Sequence, residues 1–250
     1  MKWKSHIEIA EAIGCQLDLP SELKEVLRQG SIQPDREGDK VLERGHNLLL
    51  KRRRVRHHRP SKLFIRKLLW KAREAYIEGR EEDALWCLGR ALHYVQDRSV
   101  ATGPFGWFHD EREAEIGHIH VFPNAIQLGI EASTPSPFFI DLCLRTLSPK
   151  KRTRAAMHQA CMLSFALTFA VLSDPTPSKR LSKEIESSER RHWRVYLPAA
   201  LTIGLITSSL GFLLDQPLLI ASSIPLAMLT LMLDTKRNMF RKEAQWFAFG

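Results

Sequence analysis

The sequence predicts an all-α chain: a helical domain over residues 1–175 followed by a two-helix transmembrane hairpin over 195–233. Three observations predict it. Apolar residues in the first part recur at helical spacing, and no stretch alternates convincingly as a strand would. Two long stretches near the C-terminus, Val195–Leu214 and Pro217–Leu233, carry no formal charge. Composition also shifts there: the net charge is +9 overall, with +3 over residues 1–150 and +6 over the last hundred, which also hold nearly all the long apolar runs. At 44% hydrophobic and 26% charged, the chain is too apolar for disorder. Its charge is too evenly mixed for a simple basic nucleic-acid binder. The four cysteines (Cys15, Cys87, Cys143, Cys161) form no CxxC and read as reduced, mostly buried thiols. The N-terminus, MKWKSHIEIAEAIG, lacks the apolar run of a signal peptide.

Helix signals punctuate the first domain. Ser5-x-x-Glu8 reads as a capping box, with Gly14 closing that helix. Ser21–Gln29 forms a second helix, ended by Gly30. Ser61 caps a third, Lys62–Glu78, with Leu63, Leu69, Trp70 and Tyr76 among its apolar positions and Gly79 after it. A fourth runs from Glu81 to Arg98 and turns Leu85, Leu88, Leu92 and Val95 inward. His109–Glu113 lies in another helix, closed by Gly117, and Ala155–Ser173 reads as a closing core helix rather than a third span.

Residues 176–194 read as a polar linker or a short surface helix, and 234–250 as a basic tail. The two uncharged stretches would measure roughly 30 and 25 Å as helices at about 1.5 Å per residue, against a hydrocarbon core of about 30 Å. Pro225 is tolerable in such a helix. The connection Asp215-Gln216 demands a tight antiparallel hairpin. Lys179, Arg180, Lys183, Arg190, Arg191 and Arg194 precede the hairpin, and Lys236, Arg237, Arg241 and Lys242 follow it. The positive-inside rule therefore expects the N-terminal domain and the C-terminus in the cytoplasm.

The chemistry-bearing pattern begins on the fourth helix. His93 and Asp97 stand four residues apart on one face, and an imidazole and a carboxylate so placed can grip one metal ion. Gly89, one turn earlier, leaves space beside them. His109 and Glu113 repeat the spacing. His6 lies in the first turn of the first helix, Asp35 follows Pro34 in a loop, and His57-His58 precede a helix start.

This order, with the stretch LGRALHYVQDRSV, resembles the zinc-dependent phospholipase C family, which is similar to the single-strand-specific zinc nucleases. The resemblance covers roughly residues 3–115. It implies a helical phospholipase C/zinc nuclease-like domain and a site of His6, Asp35, His57 or His58, His93, Asp97, His109 and Glu113 around one to three Zn²⁺ ions. It further implies phosphodiester hydrolysis by metal-activated hydroxide, with Asp35 as metal ligand or proton acceptor. Two positions depart from the family pattern: Gly103 stands where a histidine belongs, so that His118 or His120 would have to replace it, and the Trp3 amine is locked in a peptide bond. Two zinc ions are therefore expected rather than three.

The implied partners are membrane lipid and a phosphodiester substrate, with nucleic acid disfavoured. Arg98, beside Asp97, is either a phosphate partner or a surface ion pair. The basic run Lys51–Arg54 with Arg56 and Arg59 is either solvated surface or a lipid-headgroup contact. Other readings stay open: a membrane-attached helical scaffold with a degenerate metal site, a nuclease-type phosphodiesterase, or one tetratricopeptide-like helix pair over residues 70–94, although solenoids need about three repeats.

Overall fold

The computed structural model describes residues 1–44, 50–55, 60–102 and 109–248; for 41–44, 50–53, 109 and 110 it describes the backbone alone. The chain divides into two compact units, Met1–Asp174 and Pro175–Gly250. Both are helical. One antiparallel hairpin, β1 (Lys40–Arg44) with β2 (Leu50–Arg54), departs from the all-α expectation. Its register pairs Lys40 with Arg54 and Arg44 with Leu50. The charge-rich run LKRRR lacks an apolar alternation that would have marked a strand.

The first unit is built around α4 (Glu81–Ser99). Glu81, Glu82 and Asp83 in its first turn suit the positive end of the helix dipole. Leu85, Leu88, Leu92 and Val95 are buried, each contributing about 1.5–3 kcal/mol. From Ala91 to Asp97 every residue is buried, so α4 is enclosed on all sides at that level. It packs against α2 (Ser21–Arg36), α3 (Lys62–Ile77) and α8 (Thr153–Val171).

α3 starts and stops as its sequence signals ask. The Ser61 hydroxyl accepts from the Phe64 amide at 3.1 Å, and Gly79 takes the left-handed turn at φ 73°. Leu63, however, points to solvent at 60% exposure. Arg73 ties α3 to the end of α8: Nη1 donates to Val171 O at 2.8 Å and to Ser173 O at 2.6 Å, and burial brings its pKa down to about 10.

Two expected helix boundaries move. α1 begins at Trp3 and runs through Gly14 to Gln16; Lys2 is its N-cap without a side-chain bond, and Ser5 is buried, so the capping box does not form. Asp18, at φ 50°, makes the left-handed turn that Gly14 was expected to make. α2 likewise continues through Gly30 to Arg36. The reason is tertiary. A Cβ on Gly30 would lie 2.7 Å from the Trp86 carbonyl oxygen, and one on Gly89 would lie 2.6 Å from the Leu27 carbonyl oxygen and 2.8 Å from the Ser31 nitrogen. α2 and α4 thus meet backbone to backbone, and the room beside Gly89 is filled by α2. Pro34 sits inside α2 and cannot donate to the Gly30 carbonyl four residues back, yet the helix persists for two more residues. Asp35 is therefore helical, not in a loop.

α5 (His109–Ile116), α6 (Pro123–Ala132) and α7 (Pro137–Thr146) follow. α8 is buried along most of its length and is a core helix.

In the second unit, the polar stretch is helical from Lys179 on, the second of the two readings its sequence allowed. α9 (Lys179–Arg191) passes through a wide π turn (His192–Tyr196) into α10 (Leu197–Leu213), giving one helix of 35 residues that is long and apolar enough to cross a membrane. α11 (Pro217–Met232) returns along α10, with Gly211 admitting the Ile220 backbone nitrogen to 2.8 Å from a would-be Cβ. The tail is also helical: α12 (Thr235–Trp246) bends 62° from α11 and packs against α9.

Asp234 organises that end. It caps α12 by accepting from the Arg237 amide at 3.2 Å, and it also takes Arg191 Nη2 at 3.0 Å and His192 Nδ1 at 3.1 Å. His192 is buried against this carboxylate. Burial pushes the Asp234 pKa up, but the Arg237 amide, His192 and Arg191 more than offset it and hold it below the ordinary value.

Two outcomes test this architecture. Gly89→Ala is expected to destabilise the first unit by about 1–3 kcal/mol through overpacking, read as a lower Tm; an unchanged Tm contradicts the close crossing. Asp234→Ala is expected to strip hydrogen-exchange protection from α12 amides in detergent micelles. Because the Asp234 pKa is depressed in the fold, its stabilisation is complete above the ordinary carboxyl range and is lost as pH falls through the depressed value.

Candidate metal centre

His6, Asp35 and His93 arrive from α1, α2 and α4, and each offers one ligand atom within 4.8 Å of the others. His6 and His93 are fully buried, and Asp35 is partly open. Their imidazoles stack with centroids 4.2 Å apart and planes 29° from parallel. Asp97 lies between them: Oδ1 is 3.3 Å from His6 Nε2, and Oδ2 is 3.3 Å from His93 Nε2. Asp35 Oδ1 approaches His93 Nε2 at 3.7 Å.

Both rings are anchored through the other nitrogen. His93 Nδ1 donates to the Ser31 carbonyl at 2.9 Å, and His6 Nδ1 donates to Gln96 Oε1 at 2.5 Å. With the Nδ1 protons so committed, the two Nε2 atoms face inward as the candidate ligand atoms. His6 Nε2 faces Asp97 and the Met1 carbonyl oxygen at 3.1 Å. A neutral Nε2 and two oxygens turned toward one another form a natural cation site. The donor set of imidazole nitrogen and carboxylate oxygen fits a metal with open positions.

The electrostatics separate the two imidazoles. Burial and the neighbouring His93 lower the His6 pKa, favouring its neutral, ligating form. Burial also works against a charged His93, but Asp97 and then Asp35 lift its pKa above the ordinary value. Asp97 would be raised by burial; the Met1 ammonium and His93 instead hold it well below the usual range.

The Met1 amine is a participant that the sequence did not disclose. It pairs with Asp97 Oδ1 and lies 2.6 Å from Glu113 Oε1. Burial lowers its pKa, but Asp97 and Glu113 raise it overall. Glu113 of α5 is thereby linked to the cluster through this amine. Trp3, by contrast, is 46% exposed, with the Arg36 guanidinium over its ring at 5.3 Å.

Of the remaining expected ligands, His57 and His58 lie outside the described residues, as does Gly103, and the His109 side chain is not described. The alternatives offered for the missing ligand are at the surface: His118 is exposed, and His120, 87% exposed, pairs with Glu8 at 3.0 Å. Arg98 is part-buried, and its Nη1 donates to the Pro60 carbonyl at 2.7 Å. Near the C-terminal end of α2, an open cleft of about 630 Å³ is lined by Gln33, Lys40, Arg54, Trp86 and Arg90. Its floor includes Asp39, which accepts from Tyr94 Oη at 2.8 Å and pairs with Arg90.

Compared with known proteins, the chain matches no family model, no curated protein and no solved structure. The His-Asp-His cluster therefore stands on its own geometry.

Asp97 is the carboxylate on which two imidazoles and an ammonium converge. In chelator, Asp97→Ala is expected to lower stability by about 3–5 kcal/mol in urea unfolding, the cost of stripping a buried charge cluster of its partner. A change below about 1 kcal/mol contradicts this arrangement.

Proposed function

We propose that the protein is a membrane-attached, zinc-dependent phosphodiesterase of the phospholipase C type. One observation carries the proposal: His6 of α1, Asp35 of α2 and the His93–Asp97 pair of α4 converge in one cluster whose imidazoles are held at Nδ1 with Nε2 turned inward. His6, Asp35 and His93 would hold an ion, with Asp97 against both imidazoles. Zinc held there supplies a Lewis acid for a phosphoryl oxygen and a nucleophile at neutral pH.

The chain's own residues do the rest. Asp35, the most open of the four, is placed to accept a proton from an attacking water at the solvent side of the cluster. The cleft at the end of α2 carries Lys40, Arg54 and Arg90 beside Glu37 and Asp39, and its cations would be the ones to meet an anionic substrate. Tyr94 and Arg90 fix Asp39 and so stiffen the wall that α4 contributes.

The second unit supports attachment to a bilayer. The apolar side chains of α10 and α11 point outward, Phe212 at 81% and Leu218 at 80% exposure, which suits a lipid solvent and not water. We take α10 and α11 as the two spans, with the flanking basic residues, the first unit and the C-terminus on the cytoplasmic side. A phospholipid substrate suits an enzyme held at that surface.

Full-length protein in mixed micelles, loaded with zinc, is expected to hydrolyse phosphatidylcholine or bis-p-nitrophenyl phosphate. His93→Ala and Asp35→Asn should each lower kcat/KM at least a thousandfold, about 4 kcal/mol of transition-state stabilisation. A zinc-loaded protein without turnover of any phosphodiester would instead favour the scaffold reading. A reporter fused after Gly250 is expected to score as cytoplasmic; an external score overturns the orientation.

A further inference from the structure

The residue that holds His6 is itself held. Gln96 lies on α4 one residue before Asp97 and three after His93, and it is 1% exposed. Its Oε1 accepts from His6 Nδ1 at 2.5 Å, and its Nε2 donates to Ser164 Oγ of α8 at 3.1 Å. Ser164 is fully buried. In this arrangement the serine oxygen accepts from the amide nitrogen, and the amide oxygen faces the imidazole.

An acceptor on Nδ1 supports the tautomer whose proton sits there, the one that a metal on Nε2, beside Asp97 and the Met1 carbonyl oxygen, would require. The arrangement mirrors His93, whose Nδ1 is taken by the Ser31 carbonyl. The difference is that a backbone carbonyl cannot be changed by substitution, whereas Gln96 can.

We propose that Gln96 is a positioning residue for the metal centre: seated by Ser164, it fixes the tautomer and ring orientation of His6 and so sets the affinity of the site for a divalent transition metal. The proposal rests on the reading of His6 as a metal ligand. It gives Gln96 no contact with the ion or the substrate. It also accounts for an uncharged amide within a buried cluster of charged groups: Gln96 supplies an acceptor without adding a second carboxylate beside Asp97.

The test is zinc affinity of the full chain in detergent, measured by competition with a chromophoric chelator, for wild type, Gln96→Met and Gln96→Glu. Methionine keeps the length and removes the acceptor; glutamate keeps an acceptor, and the Ser164 hydroxyl can reverse to donate to it. Gln96→Met should bind zinc about 10–100-fold more weakly, the usual effect of losing a partner of a metal-bound histidine. Gln96→Glu should bind at least as tightly as wild type. Nitrogen-15 shifts of the His6 ring in the zinc form give a second readout: a protonated Nδ1 is expected in wild type and Gln96→Glu.

Equal affinity in wild type and Gln96→Met overturns the positioning role while leaving the metal centre intact. If Gln96→Met does not fold by circular dichroism, the glutamate variant decides: a tenfold loss of affinity in a folded Gln96→Glu also overturns it. Wild type that binds no zinc defeats the metal reading itself, a result distinct from either.

Discussion

Gly30 and Gly89 let α2 and α4 touch at their backbones, and the geometry of the histidine–carboxylate cluster follows from that contact. With the helices this close, the Ser31 carbonyl reaches the His93 ring at 2.9 Å and Asp35, one turn further along α2, comes to the open side of the same ring. A Cβ at either glycine would meet a carbonyl oxygen inside 3.0 Å, so neither position tolerates a side chain without the helices parting. The third direction is closed by α1, which delivers His6, and by α8, whose Ser164 seats Gln96. Four helices thus enclose one small polar volume in an otherwise apolar core.

A buried cluster of this kind is expensive unless its charges and polar atoms are matched. Here Asp97 is opposed by the Met1 ammonium and His93, and each imidazole has its Nδ1 satisfied. The same matching that lets the cluster exist in the fold presents the two Nε2 atoms and the carboxylates as a donor set. Stability and proposed chemistry draw on the same side chains: burial favours the neutral His6 that a metal requires, whereas Asp97 and Asp35 favour a proton on His93 that a metal would have to displace.

How much of this could be read from the chain depended on whether a signal was local. The His93–Asp97 spacing is a property of a single helix turn and was legible, as were the Ser61 cap, Gly79 and the inward face of α4. Gly30 has the local chemistry of a helix stop, and Pro34 that of a loop; both instead lie inside α2, because packing on α4 outweighs the local preference. Ser5-x-x-Glu8 has the form of a capping box, but the helix starts two residues earlier and buries Ser5. Residues 176–194 are polar with prolines at 175 and 177, and the helix signal there is only the spacing of Leu181, Ile185 and Ser188, two of which are buried. The Met1 amine's pairing with Asp97 and Asp234's bonds to Arg191 and His192 are long-range contacts with no sequence mark. Gln96 had a faint one: it completes an unbroken buried run on α4, where a polar residue must find a partner.

Whether the cluster enclosed by these helices holds a cation is tested most directly by anomalous X-ray scattering at the zinc edge. Crystals of the full chain grown with zinc should show a peak bound by His6, Asp35 and His93 at about 2.0–2.2 Å from nitrogen and oxygen donors. Zinc found only at other residues, or no peak within reach of His93 Nε2 at millimolar zinc, would contradict a metal at this cluster.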